Sequence, residues 1–193
     1  KEKDIIELGA GTGRVTSLIA PLAHRLIATD LSFPMLIYGK NHLSRLNLTN
    51  WHMSLADHRA LPFASQSADV VLSGWSFHGV AIDYATGWQR ILDHAMREVA
   101  RVLRPGGIAL LIESLGTGHE TPQAPKVLVD YLGYLDCHGF EATWIRTDYF
   151  FENEAKAIDL ISFFFDDDPM PMWEKDTGVI VPECTGLWCK RFE

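Results

Sequence analysis

The run Asp4-Ile5-Ile6-Glu7-Leu8-Gly9-Ala10-Gly11-Thr12-Gly13-Arg14 narrows what this chain can fold into more than any other stretch. Its apolar start reads as a short buried strand, its three glycines as a tight turn, and Val15 to Ala20 as the start of a helix. Glycines at 9, 11 and 13 let the backbone turn sharply and come close to a ligand with no Cβ in the way. The helix start behind them offers unpaired N–H groups and the positive end of a dipole. The pattern is that of a nucleotide-type site. Its spacing is G-x-G-x-G, with Arg14 where a dinucleotide fingerprint has its third glycine.

A chain of 193 residues is one domain, 1–193, long enough to bury a full α/β core. A net charge of −8 without a Lys/Arg cluster argues against a broad phosphate-backbone footprint, and so against nucleic acid as the main partner. No run approaches the roughly 18 apolar residues of a membrane span, and no secretory signal pattern is present. Cys137, Cys184 and Cys189 read as reduced thiols in a cytoplasmic setting, and their spacing matches no strong metal pattern, so no metal is expected. The oligomeric state has no signature. The chain opens on Lys1 almost inside its first strand, which suggests further residues upstream.

Beyond the glycine turn, 24–30 reads as a second strand ending in Asp30. Ser32 and Pro34 then start a helix to about Leu46. Strands follow at 51–55, 68–73 and 108–113, with a helix over 84–103 whose apolar residues recur at 3.6-residue spacing. Arg104-Pro105-Gly106-Gly107 reads as the turn that stops it, and 122–138 as a further helix. After Gly139 the rhythm breaks: a strand over 140–150, a helix over 153–165, an irregular acidic stretch over 166–182, and a last strand over 184–192. Strands alternating with helices imply a doubly wound, Rossmann-like parallel sheet, with ligands outside the carboxyl ends of its strands. The residues to watch are then Glu7 to Gly13, Asp30, Asp57, Ser73 to His78 and Glu113.

At these positions the chain resembles a class I S-adenosylmethionine-dependent methyltransferase, most of all the small-molecule group that includes the ubiquinone and menaquinone biosynthesis C-methyltransferases. Four stretches carry the resemblance in order: Glu7 to Gly13, Thr29 to Leu36, Ala56 to Phe63, and Ala100 to Gly107. The family's fold implies a seven-stranded sheet of order 3-2-1-4-5-7-6 with the last strand antiparallel, which would explain the break after Gly139. The family also often has helices ahead of the first strand that close over the acceptor, here expected upstream of Lys1.

The resemblance implies S-adenosylmethionine as cofactor and S-adenosylhomocysteine as product. Gly9, Ala10 and Gly11 would lie against the ribose and methionyl part, and Glu7 would face the methionyl ammonium. Asp30 at the end of strand two would accept from the ribose hydroxyls, or else serve as a helix-start acid. Leu31 and Met35 would pack near the adenine. Asp57 would accept from the adenine amine, with the backbone at Ala56 or His58 holding the ring; its other reading is a turn-initiating acid. Ser73 ends strand four beside the cofactor. Arg14 would reach the cofactor carboxylate or pair on the surface.

Methyl transfer from a sulfonium is an in-line displacement, so an enzyme mainly aligns the acceptor and excludes water. A base is needed only where the acceptor must lose a proton. His78 is the candidate base and Glu113 a second, with Trp75, Phe77 and Tyr84 as walls of an acceptor pocket. Phe163-Phe164-Phe165, Met170, Met172 and Trp173 would cover that pocket or simply form core. Such walls suit a small apolar or aromatic acceptor. The loop after strand four lacks the Asp/Asn-Pro-Pro-aromatic signature of amino-nitrogen methylation in nucleobases or Gln. Alternatives are a protein or tRNA side group as acceptor, a non-catalytic cofactor-binding module, and a nicotinamide-dependent oxidoreductase.

Overall fold

The computed structural model describes residues 2–82, 86–165, 171–175 and 177–193, with 163–165 and 175 described by their backbone alone. Strands β1 (Asp4–Leu8), β2 (Arg25–Asp30), β3 (Trp51–Leu55), β4 (Ala68–Gly74), β5 (Leu103–Thr117), β6 (Glu141–Arg146) and β10 (Glu183–Arg191) form one sheet of order β3-β2-β1-β4-β5-β10-β6. The first five run parallel; β10 is antiparallel to both of its neighbours, β5 and β6. This is the predicted seven-stranded order, with β10 as the family's seventh strand.

Alternation along β1 separates the two layers. Ile5 faces a cluster with Ala20 and Leu26, while Ile6 and Leu8 face the larger core. That core is built on helix α4 (Trp88–Val102), which buries Leu92, Ala95, Val99 and Val102 at helical spacing, and on α5 (Val129–Cys137), which buries Tyr131, Leu132 and Leu135. Helices α1 (Arg14–Ile19), α2 (Phe33–Leu43) and the single turn α3 (Gly79–Ile82) complete the crossovers of the first half.

Two of the motif arginines turn out to be braces. Arg101 donates to the carbonyls of Leu61 and Phe63 while pairing with Glu98, whose other contact is the Leu61 N–H. It thus pins the loop that follows the Asp57 motif. Arg104 spans Asp4 at 2.8 Å and Asp69 at 3.0 Å at the amino edge of the sheet, far from where ligands bind. Its Arg104 to Gly107 stretch is not a simple turn: it bulges within β5, between the Ala68–Leu103 and Val70–Ile108 pairings.

The second half departs further from expectation. The strand expected over 140–150 is two strands, β6 and β7 (Tyr149–Phe151), which belong to different sheets. The stretch expected to be irregular contains β8 (Trp173–Lys175) and β9 (Gly178–Val181), and a three-stranded sheet of order β7-β9-β8 results. Helix α6 (Glu154–Phe165) packs on that sheet through Ala157 and Ile161, against Val179 and Val181. The helix expected over 122–138 begins only at Val129, after a 3-10 turn at Lys126–Leu128, because Pro122 and Pro125 hold the preceding chain extended. Among the described residues no helix is long and apolar enough to cross a membrane.

Candidate functional site

The carboxyl ends of β1 and β4 lie side by side, Leu8 paired with Ser73, so the glycine turn and the loop after Ser73 share one rim. Gly9, Gly11 and Gly13 have φ of +69°, +55° and +81°, a region that only glycine adopts freely. They meet different surroundings. A Cβ on Gly9 would stand 1.7 Å from the Ser76 hydroxyl oxygen, whereas one on Gly11 would meet nothing within 4 Å. Gly9 therefore locks the turn against the loop after β4, and Gly11 opens onto free space on the ligand side.

Asp30 braces this turn. One carboxylate oxygen accepts the Gly11 N–H at 2.7 Å and the other the Ser32 N–H at 2.8 Å. It therefore both ends β2 and starts α2, while the Ser32 side chain makes no cap. With the Gly11 N–H engaged and α1 only six residues long, the expected anion-binding helix start is not what the turn offers a ligand. Leu31 and Met35 stand exposed beside it, 68% and 47% accessible.

Glu7 is 1% exposed, and one of its carboxylate oxygens has no hydrogen-bond partner. Burial pushes its pKa up to about 7; Thr16 in α1 works in the opposite direction and the Asp30 charge adds to the rise. A buried carboxylate in this condition is stabilised by a cation or a donor brought from outside. Asp57 is already engaged: Arg59 donates through Nε at 2.9 Å and through its backbone N–H at 2.8 Å. The Arg59 hydrogen bonds hold the Asp57 pKa down at about 2. Ala56 is buried, its N–H bound to the Asp30 carbonyl. His58 is stacked on Phe77 at 5.4 Å between centroids, and burial lowers its pKa.

The loop after β4 carries the other half of the site. Trp75 takes a left-handed φ of +52° and its N–H is bound to the Ile112 carbonyl, so the loop is tied to β5. Arg14 lies over the Trp75 ring at 4.5 Å. His78 Nδ1 is 2.6 Å from Glu113, a fully buried carboxylate that also accepts the Tyr131 hydroxyl at 2.9 Å. Since the carboxylate accepts, Nδ1 is the protonated nitrogen and the basic lone pair lies on Nε2.

Arg14, Trp75 and His78 line a cavity of about 690 Å³ between the main sheet and the small β7-β9-β8 layer. Its remaining wall is apolar, from Pro125, Val127, Leu128, Phe151 and Ile161, interrupted by Ser114, Tyr149 and Glu183. Trp75 and His78, two of the residues proposed from the sequence for the acceptor pocket, line this cavity. Phe77 and Glu113 do not: Phe77 is sealed in the main core, and Glu113 stands behind His78 as its partner. Tyr84 and Met170 lie outside the described residues, as do the side chains of Phe163, Phe164 and Phe165. Met172 packs in the satellite core, and Trp173 lies 5.7 Å from the Arg146 guanidinium. Glu183, Ser114 and Tyr149 were not found from the sequence. An acid heading the otherwise apolar start of the last strand was the available signal.

Residues 6–111 match the family model described as a methyltransferase domain. The malonyl-[acyl-carrier protein] O-methyltransferase of Methylococcus capsulatus is 35% identical over 106 residues, which is 53% of this chain and 34% of the relative. The demethylmenaquinone methyltransferase of Corynebacterium urealyticum is 30% identical over 131 residues, 68% of this chain and 48% of the relative. The chain thus spans about a third to a half of the length of these two curated relatives. A solved S-adenosylmethionine-dependent methyltransferase from Aquifex aeolicus superposes with a TM-score of 0.60 at 14% identity, covering 98% of this chain and 82% of that one, a likeness of fold. With its strand order, its glycine turn and more than half of its length inside the family model, the chain belongs to the class I S-adenosylmethionine-dependent methyltransferases.

Proposed function

We propose that this chain transfers a methyl group from S-adenosylmethionine to a small apolar or aromatic acceptor. The observation that carries the reading is the shared wall: Arg14, next after the glycine turn, lines the same cavity as His78. The residues fit the cofactor. Open space over Gly11 admits a ligand against the backbone, and the unpartnered oxygen of Glu7 suits an ammonium group. Asp30 has acceptor capacity beyond its two backbone contacts for ribose hydroxyls, and the exposed Leu31 and Met35 offer an apolar face to the adenine. Asp57 serves the adenine amine only in company with Arg59, and the Ala56–His58 backbone borders the ring. Bound there, S-adenosylmethionine supplies an electrophilic methyl with a neutral thioether as leaving group.

The chain's own part is to seat the acceptor against the apolar stretches of that cavity wall, beside the place the cofactor would take. His78, oriented by Glu113 and Tyr131, takes the acceptor's proton on Nε2 where the acceptor is a hydroxyl or an acidic carbon. Membership of the family removes the nicotinamide reading. The net charge of −8 favours a small acceptor over tRNA.

The test is incubation with labelled S-adenosylmethionine and a panel of phenols, quinols and acidic-carbon compounds, following S-adenosylhomocysteine formation. Acceptor-dependent product that falls in His78→Ala supports the reading. Cofactor binding without turnover on any acceptor, in a folded protein, leaves a binding module instead.

A further inference from the structure

Glu183 opens β10 with its side chain 1% exposed, yet it belongs to the cavity wall. One carboxylate oxygen accepts the Ser114 hydroxyl at 2.7 Å; the other has no hydrogen-bond partner. Burial raises the Glu183 pKa, and the Thr117 and Ser114 hydroxyls oppose the rise, Thr117 from beyond hydrogen-bond distance of the open oxygen. Arg14, the cation on the same wall, is stacked on Trp75 and does not satisfy the open oxygen. The Glu183 backbone is fixed on both sides, its N–H on Asp148 at 3.1 Å and its carbonyl on the Thr147 N–H at 2.9 Å. The carboxyl is therefore held in place in a largely apolar wall, beside Ser114 and Tyr149, with one acceptor position open.

A buried carboxyl with an unused acceptor position either keeps a proton or takes a donor from outside, and a donor that enters the cavity is what favours its charged form. Along an apolar wall of this size, the filling group is a polar point on an otherwise apolar guest, the usual arrangement by which a small-molecule site fixes orientation. We infer that Glu183 is a specificity residue for the acceptor, selecting an apolar or aromatic molecule that carries a hydrogen-bond donor, a hydroxyl or an amine. This rests on the methyltransferase reading of the same cavity. A carboxylate guest would meet like charge at Glu183 and at the nearby Asp148, and is disfavoured. The small β7-β9-β8 layer then has a role: through Tyr149 and Phe151 it walls one side of the cavity in which Glu183 is the acidic group among the described residues.

The test uses the whole chain, with and without S-adenosylhomocysteine, titrated calorimetrically with naphthol, naphthylamine, acetylnaphthalene and naphthoate, all substituted at the same position. Wild type is expected to bind naphthol and naphthylamine at least about tenfold more tightly than naphthoate and acetylnaphthalene. In Glu183→Leu that preference should shrink to within about twofold, with S-adenosylhomocysteine affinity unchanged. Should Glu183→Leu fail to fold, the wild-type ranking and that of Ser114→Ala decide. A wild-type preference for the ketone or the carboxylate, an unaltered ranking in a folded Glu183→Leu, or no binding by any of the four overturns the inference. Loss of S-adenosylhomocysteine binding by wild type would instead sink the methyltransferase reading itself, so the two failures are distinct.

Discussion

The two halves of the carboxyl edge are built by different means. On the β2-β1 side the backbone does most of the work: glycines at positive φ, a short turn, and Asp30 tying two N–H groups together. On the β5-β10 side it is side chains from distant segments, with His78, Glu113 and Tyr131 meeting across 35 and 18 residues of chain and Ser114 meeting Glu183 across 69. A backbone-built site tolerates little substitution and holds one ligand. A side-chain-built chamber can change its guest by changing a wall residue. The contrast matches a division between a cofactor common to a family and an acceptor particular to a member.

The strongest way to break the comparison is at Gly9. Gly9→Val places a Cβ almost on Ser76 and forces a β-branched residue to φ +69°, and should cost about 3 kcal/mol or more in stability, read by denaturant unfolding. Ser76→Gly in the same chain should recover part of this; no recovery would mean that Ser76 is not what the turn is locked against. Next in size is Asp30→Ala, expected to weaken cofactor binding by about a hundredfold, since it both removes an acceptor and leaves the Gly11 N–H unbound. Acceptor-site binding should be nearly unaffected, and an equal loss at both sites would erase the division.

Glu113→Gln probes the other half. It should lower kcat by roughly tenfold or more for hydroxyl acceptors with cofactor affinity unchanged, because an amide no longer selects the Nδ1–H tautomer of His78. An unchanged kcat would reduce Glu113 to a core residue.

Glu7 supplies a pH test. Its folded pKa of about 7 stands above the ordinary 4.5, so the folded state holds the extra proton between those values. Its contribution to stability is then full below about pH 4.5 and is lost as pH rises through 7, a change on the order of 3 kcal/mol that Glu7→Gln should abolish. Cofactor affinity should move the opposite way and improve over the same window, since the deprotonated carboxylate is the form that accepts an ammonium. Proton release on binding, from calorimetry in buffers of different ionisation enthalpy, reads this directly. The smallest expected effect is Arg14→Lys, which keeps the charge but loses the guanidinium over the Trp75 ring, at about 0.5–1 kcal/mol of acceptor binding.

What was legible in the sequence follows the same line. Gly9, Gly11, Gly13 and Asp30 could be read because local backbone geometry demands particular residues at particular spacing, whereas the strand order came from the family resemblance. The chamber could not be read so. Phe77 looked like a wall and is core, since side-chain direction after a positive-φ Trp75 is not periodic. Glu113 looked like a second base and instead holds His78. The β7-β9-β8 layer hid in a stretch with strands of only three or four residues, too short for an alternating pattern to stand out. Glu183 became visible only when the fold brought its carboxylate to the Ser114 hydroxyl.

The central claim is that the backbone-built half holds S-adenosylmethionine independently of the chamber beside it. Calorimetric titration with S-adenosylhomocysteine measures this most directly, on wild type, Asp30→Ala and Glu113→Gln. Micromolar binding, about −8 kcal/mol, is expected in wild type and Glu113→Gln, with its near loss in Asp30→Ala. Folded wild-type protein that takes up no S-adenosylhomocysteine, or an Asp30→Ala variant that binds it as well as wild type, would contradict it.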